Sequence, residues 1–134
     1  MLMLTPPQRD LIRDKGTILG RTLIALLFIV SGLGMLAAPA DAVVKFTDFG
    51  IPLANVAVWV VILVKVGAGI AIVIGKRVGL AAALLILFTI GATLVAHMDD
   101  LPGALKNLSI VGGLLYLMAY GPGGAHTTNL RNVQ

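Results

Sequence analysis

One charged residue stands where a charge is expensive. Lys65 interrupts the apolar run from Leu53 to Ile74, twelve residues from its start and nine from its end. An ammonium at mid-bilayer costs about 2.5–3.5 kcal/mol on insertion scales. At 1.5 Å per helical residue it lies about 14 Å from the nearer end of the run. That is too far for its stem to carry the charge to the interface, so it must face the protein interior, a water-filled cavity or a partner. Counting nine or ten residues in from the same side places Ser31 of an earlier run and Thr89 of a later one at its depth. Neither is charged, and no Asp falls inside a run. Three solutions are open: a neutral amine, a carboxylate from another subunit, or an anionic ligand group. The bland alternative is an ammonium satisfied by backbone carbonyls, serine and water.

A second set of polar groups gathers toward the other end of the runs. Thr89, Thr93 and His97 recur every fourth residue, so they share one stripe of a helix. Asp99 and Asp100 follow, Lys106 and Asn107 open the next run, and Asn55 opens an earlier one with Trp59 a turn on. They either converge on one pocket near the outer face or form an interfacial collar, as His, Trp, Asn and Lys do at helix ends. Other chemistry fares poorly. With no cysteine there is no thiol–disulfide chemistry and no thiolate metal site. His97 is the one histidine at a run, because His126 lies in the tail. Two-histidine haem ligation within the chain is therefore unavailable, and single axial ligation of a tetrapyrrole by His97 stays open. His97 with loop aspartates falls short of a secure metal site. The glycine-rich stretch from Gly121 to Gly124 fits no phosphate-binding template. No nucleophile–base pair is readable.

The elements that position these residues follow from composition. The chain has 134 residues, 58% hydrophobic and 12% charged, with a mean hydropathy of +1.00. Soluble domains carry about 25% charged residues, and a soluble fold this small could not hide so much apolar surface. Disorder needs the opposite balance. Charges divide the chain into four apolar runs: Thr22 to Ala40, Leu53 to Ile74, Val78 to Ala96, and a shorter one from Asn107 to Tyr120 that is expected to begin near Ala104. None alternates as barrel strands do. The expected fold is all-α, an integral membrane four-helix bundle with four transmembrane helices. Arg9, Arg13, Lys15, Arg21, Lys76, Arg77 and Arg131 fall on one side and only Lys45 and Lys106 on the other, which makes both termini cytoplasmic. The net charge of +4 reads as topology and gives no nucleic-acid footprint.

Three segments result: 1–17 as a cytoplasmic N-terminal segment, 18–124 as the four-helix domain, and 125–134 as a cytoplasmic tail. In the first, Thr5 is placed to cap a short surface helix with Pro6 in its first turn. The basic flank, the apolar core and Ala38-Pro39-Ala40 imitate a secretory signal. The length of the apolar stretch reads instead as a retained anchor. Gly67, Ala71 and Gly75 form a small-residue stripe suited to close helix packing. Gly112 with Gly113, and Ser31 with Gly32 and Gly34, offer weaker versions.

These residues carry a resemblance. Gly20-Arg21 opening the first run, then Leu27-Phe28-Ile29-Val30-Ser31-Gly32, resembles the start of the DoxX family of small bacterial membrane proteins. So do Gly50-Ile51-Pro52, the run Gly67-Ala68-Gly69-Ile70-Ala71 ending in Gly75-Lys76-Arg77, and Ala92-Thr93 through His97. Lys106-Asn107-Leu108-Ser109-Ile110-Val111-Gly112-Gly113 and Gly121-Pro122-Gly123 complete it, over about residues 18–124. The resemblance implies a four-helix bundle in the bacterial inner membrane. It also implies kinship with a subunit of thiosulfate:quinone oxidoreductase and with membrane complexes of sulfur handling and oxidative stress. Two positions depart. The family often has lysine just after the Ser-Gly motif, at or beside Met35 here, and glutamate just before the glycine-rich run, where this chain has Lys65. An activity that depends on that carboxylate would not carry over, which favours an accessory role. His97, Lys106 and Asn107 match family positions.

Three functions are therefore expected to compete. One is an accessory or structural subunit of a larger membrane redox or energy-converting complex, contacting other membrane subunits and the lipid bilayer. Another is a quinone-linked oxidoreductase subunit whose quinone would meet Lys65, Thr89, Thr93, His97 and Tyr116, with electrons supplied by another chain. The third is a small-molecule or lipid binder or transporter in which Lys65 holds an anion.

Overall fold

The computed structural model describes residues 3–123; Gly124, the tail 125–134 with His126 and Arg131, and the first two residues lie outside the described residues. The described residues form helices joined by short turns, with no strand among them. α1 (Pro6–Leu11) starts at a capping box: Thr5 Oγ1 accepts from the Gln8 amide at 3.4 Å, and the Gln8 side chain accepts from the Thr5 amide at 2.8 Å. A π-helical turn (Ile12–Gly16) carries it directly into α2 (Thr17–Ala37). The helix anticipated before residue 18 is thus present, and it is continuous with the first long helix.

The first long helix stops earlier than the sequence suggested. Ala38 leaves the helical region at φ −142°, as a residue preceding proline tends to. Pro39 then opens a helix that the sequence reading did not contain, α3 (Pro39–Asp48), with Asp41 in its first turn and Lys45 in its last. The Ala38-Pro39-Ala40 triplet that imitated a cleavage site is the corner between α2 and α3. α4 (Ala54–Ile74) and α5 (Val78–Ala96) match the expected runs. Between them Gly75 takes φ +78°, which closes the tight Gly75-Lys76-Arg77 turn. α6 (Leu101–Tyr120) begins a turn before the expected Ala104. There the Asp100 side chain accepts from the Gly103 amide at 3.2 Å, and Pro102 occupies the first turn.

Four of these helices are long and apolar enough to cross a membrane. The most extensive contacts are α2 with α4 and α5 with α6, α4 with α5 is intermediate, and the contact between α2 and α6 that closes the ring is thin. The main core gathers Ala25 and Phe28 of α2, Ala68 and Ile72 of α4, Ala82 and Leu85 of α5, and Leu114 and Leu117 of α6. Where α3 folds over α4, Ala42 meets Val58 and Ile62 in a second, smaller core. Large side chains such as Leu63, Leu87 and Leu108 point outward, as they must toward lipid.

The glycine stripe needs correction. Gly67 is exposed with open space where a Cβ would stand, and Gly75 acts in the turn. The close approach is made one residue pair over. A Cβ on Gly69 would stand 2.6 Å from Ile29 Cγ1, and one on Gly32 would stand 2.7 Å from Val66 Cγ2. These two glycines let α2 and α4 touch along their backbones. Of the α6 pair only Gly113 is pressed, against Ile24 of α2; Gly112 faces open space. At the end of the bundle that holds the basic turn, the buried Arg21 guanidinium donates to Pro122 O at 2.7 Å and to Val73 O at 3.4 Å. It thereby ties the ends of α4 and α6 to α2.

Candidate functional site

Lys65 lies inside the bundle, 9% exposed. The tight α2–α4 seam brings it to α2: its Nζ donates to Ser31 Oγ at 2.7 Å and lies 3.7 Å from Met35 Sδ. It also stands 4.8 Å above the centre of the Phe88 ring on α5, within cation–π range. All three neighbours are neutral, and no carboxylate among the described residues pairs with it. The depth count that placed Ser31 level with Lys65 corresponds to a hydrogen bond. An ammonium has three donors. One goes to Ser31 and one faces a thioether, a weak acceptor, so capacity remains for an incoming oxygen.

Three cavities meet at Lys65. The first, about 190 Å³, occupies the gap left by the thin α2–α6 contact. Ser31, Lys65, Thr89, His97, Lys106 and Asn107 line it together with Leu27, Phe28, Phe88, Ala92 and Ile110. Thr89, His97, Lys106 and Asn107 of the second polar set thus share one space with Lys65 and Ser31, whereas Thr93, Asp99, Asp100, Asn55 and Trp59 are not in its wall. The second, about 380 Å³, lies beneath α3, between Ser31, Met35, Asp41, Lys45 and Lys65. The third, about 300 Å³, is almost wholly apolar and lies between α3, α4 and α5, with Phe46, Phe49, Leu87, Phe88, Ala92 and Val95 in its wall.

Several expected residues take other roles. Thr89 Oγ1 and Thr93 Oγ1 each donate back to the carbonyl four residues earlier, of Leu85 and Thr89, at 2.7 Å. Thr93 Oγ1 also accepts from Asn107 Nδ2 at 2.9 Å, which stitches α5 to α6 and turns Thr93 toward that seam instead of the cavity. His97 Nδ1 is 3.3 Å from Asp100 Oδ2 at the mouth of the first cavity. The Asp100 carboxyl is held below the usual carboxylate range, mainly by the Gly103 amide and then by His97. Tyr116 is not at the site: it is exposed and stacks on Tyr120 with ring centres 5.9 Å apart. Asn55 and Trp59 are exposed on α4, also away from it. Among the described residues no group of three His, Asp or Glu is arranged to hold a metal.

Sequence reasoning missed Met35 and Phe88 as neighbours of Lys65, and Asp41, Lys45 and Phe46 as cavity walls. The first two are apolar side chains whose direction only the packing reveals. The other three sit on α3. Its signals were readable: Pro39 at a helix start, Asp41 in the first turn, and Ala42, Val43 and Phe46 on one face.

Comparison with known proteins agrees with this architecture. The DoxX family model matches residues 16–98. The inner membrane protein YqjF of Escherichia coli strain K12 is 32% identical over 130 residues, covering 90% of this chain and 95% of its own. The inner membrane protein YphA of the same strain is 28% identical over 116 residues, covering 79% and 83%. No solved structure matches the chain. With the four spanning helices, these matches make it an inner-membrane protein, and the chain belongs to the DoxX family.

Proposed function

We propose that the chain is a ligand-holding accessory subunit of a membrane redox complex. In this reading it binds a small membrane-soluble amphiphile whose hydrogen-bond-accepting head meets Lys65. The carrying observation is the buried Lys65 ammonium, held by neutral groups only, at the meeting point of polar and apolar cavities. A buried cation with spare donors is a costly feature for a merely structural bundle, whereas binding sites pair an apolar wall with a few convergent polar groups.

A quinone is one member of this ligand class, and the residues present suit it. Lys65 and Ser31 would meet a carbonyl oxygen, the Phe88 ring would face the quinone ring, and the apolar cavity would take the tail. When bound, a quinone would supply two-electron chemistry, and the electrons would reach it from another chain. The accessory role follows from this division: the protein contributes a site and a path from the bilayer. Docking of Lys65 itself onto another subunit loses support, because its ammonium points into the bundle.

Gentle extraction from the native membrane tests the reading, with partner proteins and organic-soluble molecules identified in the same preparation. The expected result is a larger complex together with a lipophilic molecule that disappears in Lys65→Met. A chain that arrives alone and carries nothing contradicts both halves.

A further inference from the structure

The site's charge narrows the ligand class. Resting on the reading above, we infer that the Lys65 site takes an anionic amphiphile, a carboxylate or similar oxyanion head on an apolar tail, in preference to a neutral one. The first cavity has Lys65 at its inner end and Lys106 at its outer end, His97 and Asn107 between, and no carboxylate in its wall. Asp100 lies beyond the mouth and faces His97. Asp41 lines the adjoining cavity beneath α3, which shares Ser31 and Lys65 with the first, but it makes no ion pair with Lys65, and the exposed Lys45 stands four residues along the same helix. The buried Lys65 and the exposed Lys106 at the mouth favour a negative head over a neutral one, because their attraction offsets the cost of desolvating it.

The tail has its own place. Lys65, Phe88 and Ala92 line both the first cavity and the apolar third one. A head seated between Lys65 and Lys106 therefore leaves its chain at the entrance of the apolar cavity. The walls of that cavity include the exposed residues Phe49, Leu87 and Val95, so it opens toward lipid. Entry from the bilayer, tail in the α3–α5 cleft and head on the lysine, needs no passage through the aqueous mouth.

Three ligands that share a ten-carbon chain, decanoate, decanol and a decyl-substituted benzoquinone, with acetate as the tailless fourth, test this by calorimetric titration of the whole chain in nonionic micelles, with empty micelles subtracted. Decanoate is expected to bind at least about tenfold tighter than decanol and the quinone, with acetate failing to saturate. Lys65→Met is expected to bring decanoate down to the level of decanol, and Lys106→Met to weaken it by about threefold. Ala92→Leu, which narrows the junction of the two cavities and leaves every charge in place, is expected to weaken all three tailed ligands. It carries the test if Lys65→Met loses its helical circular dichroism. Quinone binding as tight as decanoate overturns the inference and leaves the broader reading standing. Acetate binding as tight as decanoate overturns the amphiphile and indicates a site for a small free anion. Unchanged decanoate affinity in Lys65→Met overturns the assignment of the site. Binding of none of the four above empty micelles overturns the broader reading itself.

Discussion

At the scale of single residues, Met35 and Lys65 explain each other. The family resemblance implies a lysine at or beside position 35 and a glutamate at 65, and here the sulfur of one lies 3.7 Å from the ammonium of the other. The two departures thus fall on side chains that touch. Where the resemblance implies a lysine and a glutamate that would neutralise one another, this chain places a thioether beside a lysine, and no carboxylate among the described residues pairs with it. Met35→Glu returns a carboxylate within reach of Lys65. It is expected to lower the affinity for decanoate by about tenfold or more, because the internal ion pair competes with the ligand. Met35→Gln, which adds a polar group without charge, is expected to leave most of that affinity. The same titration separates the two variants. Lys65 and Ser31 were legible because depth along a helix is a matter of counting residues. Phe88 and Met35 were not, because apolar side chains lie all round these spans and only packing says which ones turn inward.

At the scale of elements, the four long helices were legible because charges and a glycine turn end each run. α3 was not. Its ten residues are too short and too mixed to register as a run, and the Ala-Pro-Ala corner before it imitates a processing site. Packing then selected Gly32 and Gly69 over the more regular Gly67-Ala71-Gly75 stripe, since the face that meets α2 is set by where Lys65 and Ile29 must fit. Gly69→Leu is expected to prise α2 from α4 and cost about 1–3 kcal/mol, whereas Gly67→Leu, toward open space, is expected to cost far less. Thermal unfolding in a mild detergent checks the pair. The start of α6 carries a pH dependence. Asp100 caps it as a carboxylate with a lowered pKa, so its contribution is complete above the ordinary aspartate range, about 3.9, and is lost as pH falls through the lower folded value. Asp100→Asn is expected to keep the cap and remove this acid sensitivity. Asp100→Ala is expected to lower the melting temperature at neutral pH and leave it flatter in acid.

At the scale of the whole molecule, the bundle is a chain of good contacts closed by a poor one. α2, α4, α5 and α6 pack in sequence, and the thin α2–α6 closure leaves the space that Lys65 and Lys106 border. At one end Arg21 holds the ring together through the carbonyls of Val73 and Pro122. Arg21→Leu is expected to cost about 1.5–3 kcal/mol, the range for hydrogen bonds to a charged group. Lys76 and Arg77 share that end, and the basic count predicts that it faces the cytoplasm. The chain has no cysteine of its own, so single cysteines report orientation cleanly. With an impermeant maleimide on intact cells, Lys45→Cys is expected to label, and Lys76→Cys only after lysis. The reverse pattern would invert the cavity's relation to the two sides of the membrane. The central claim is that Lys65 holds a lipophilic ligand inside this bundle. Native mass spectrometry of the chain released from mild detergent, wild type beside Lys65→Met, tests it most directly. A non-covalent lipophilic adduct on the wild type that is missing from the variant is the expected result; the same adducts on both, or none on either, would contradict it.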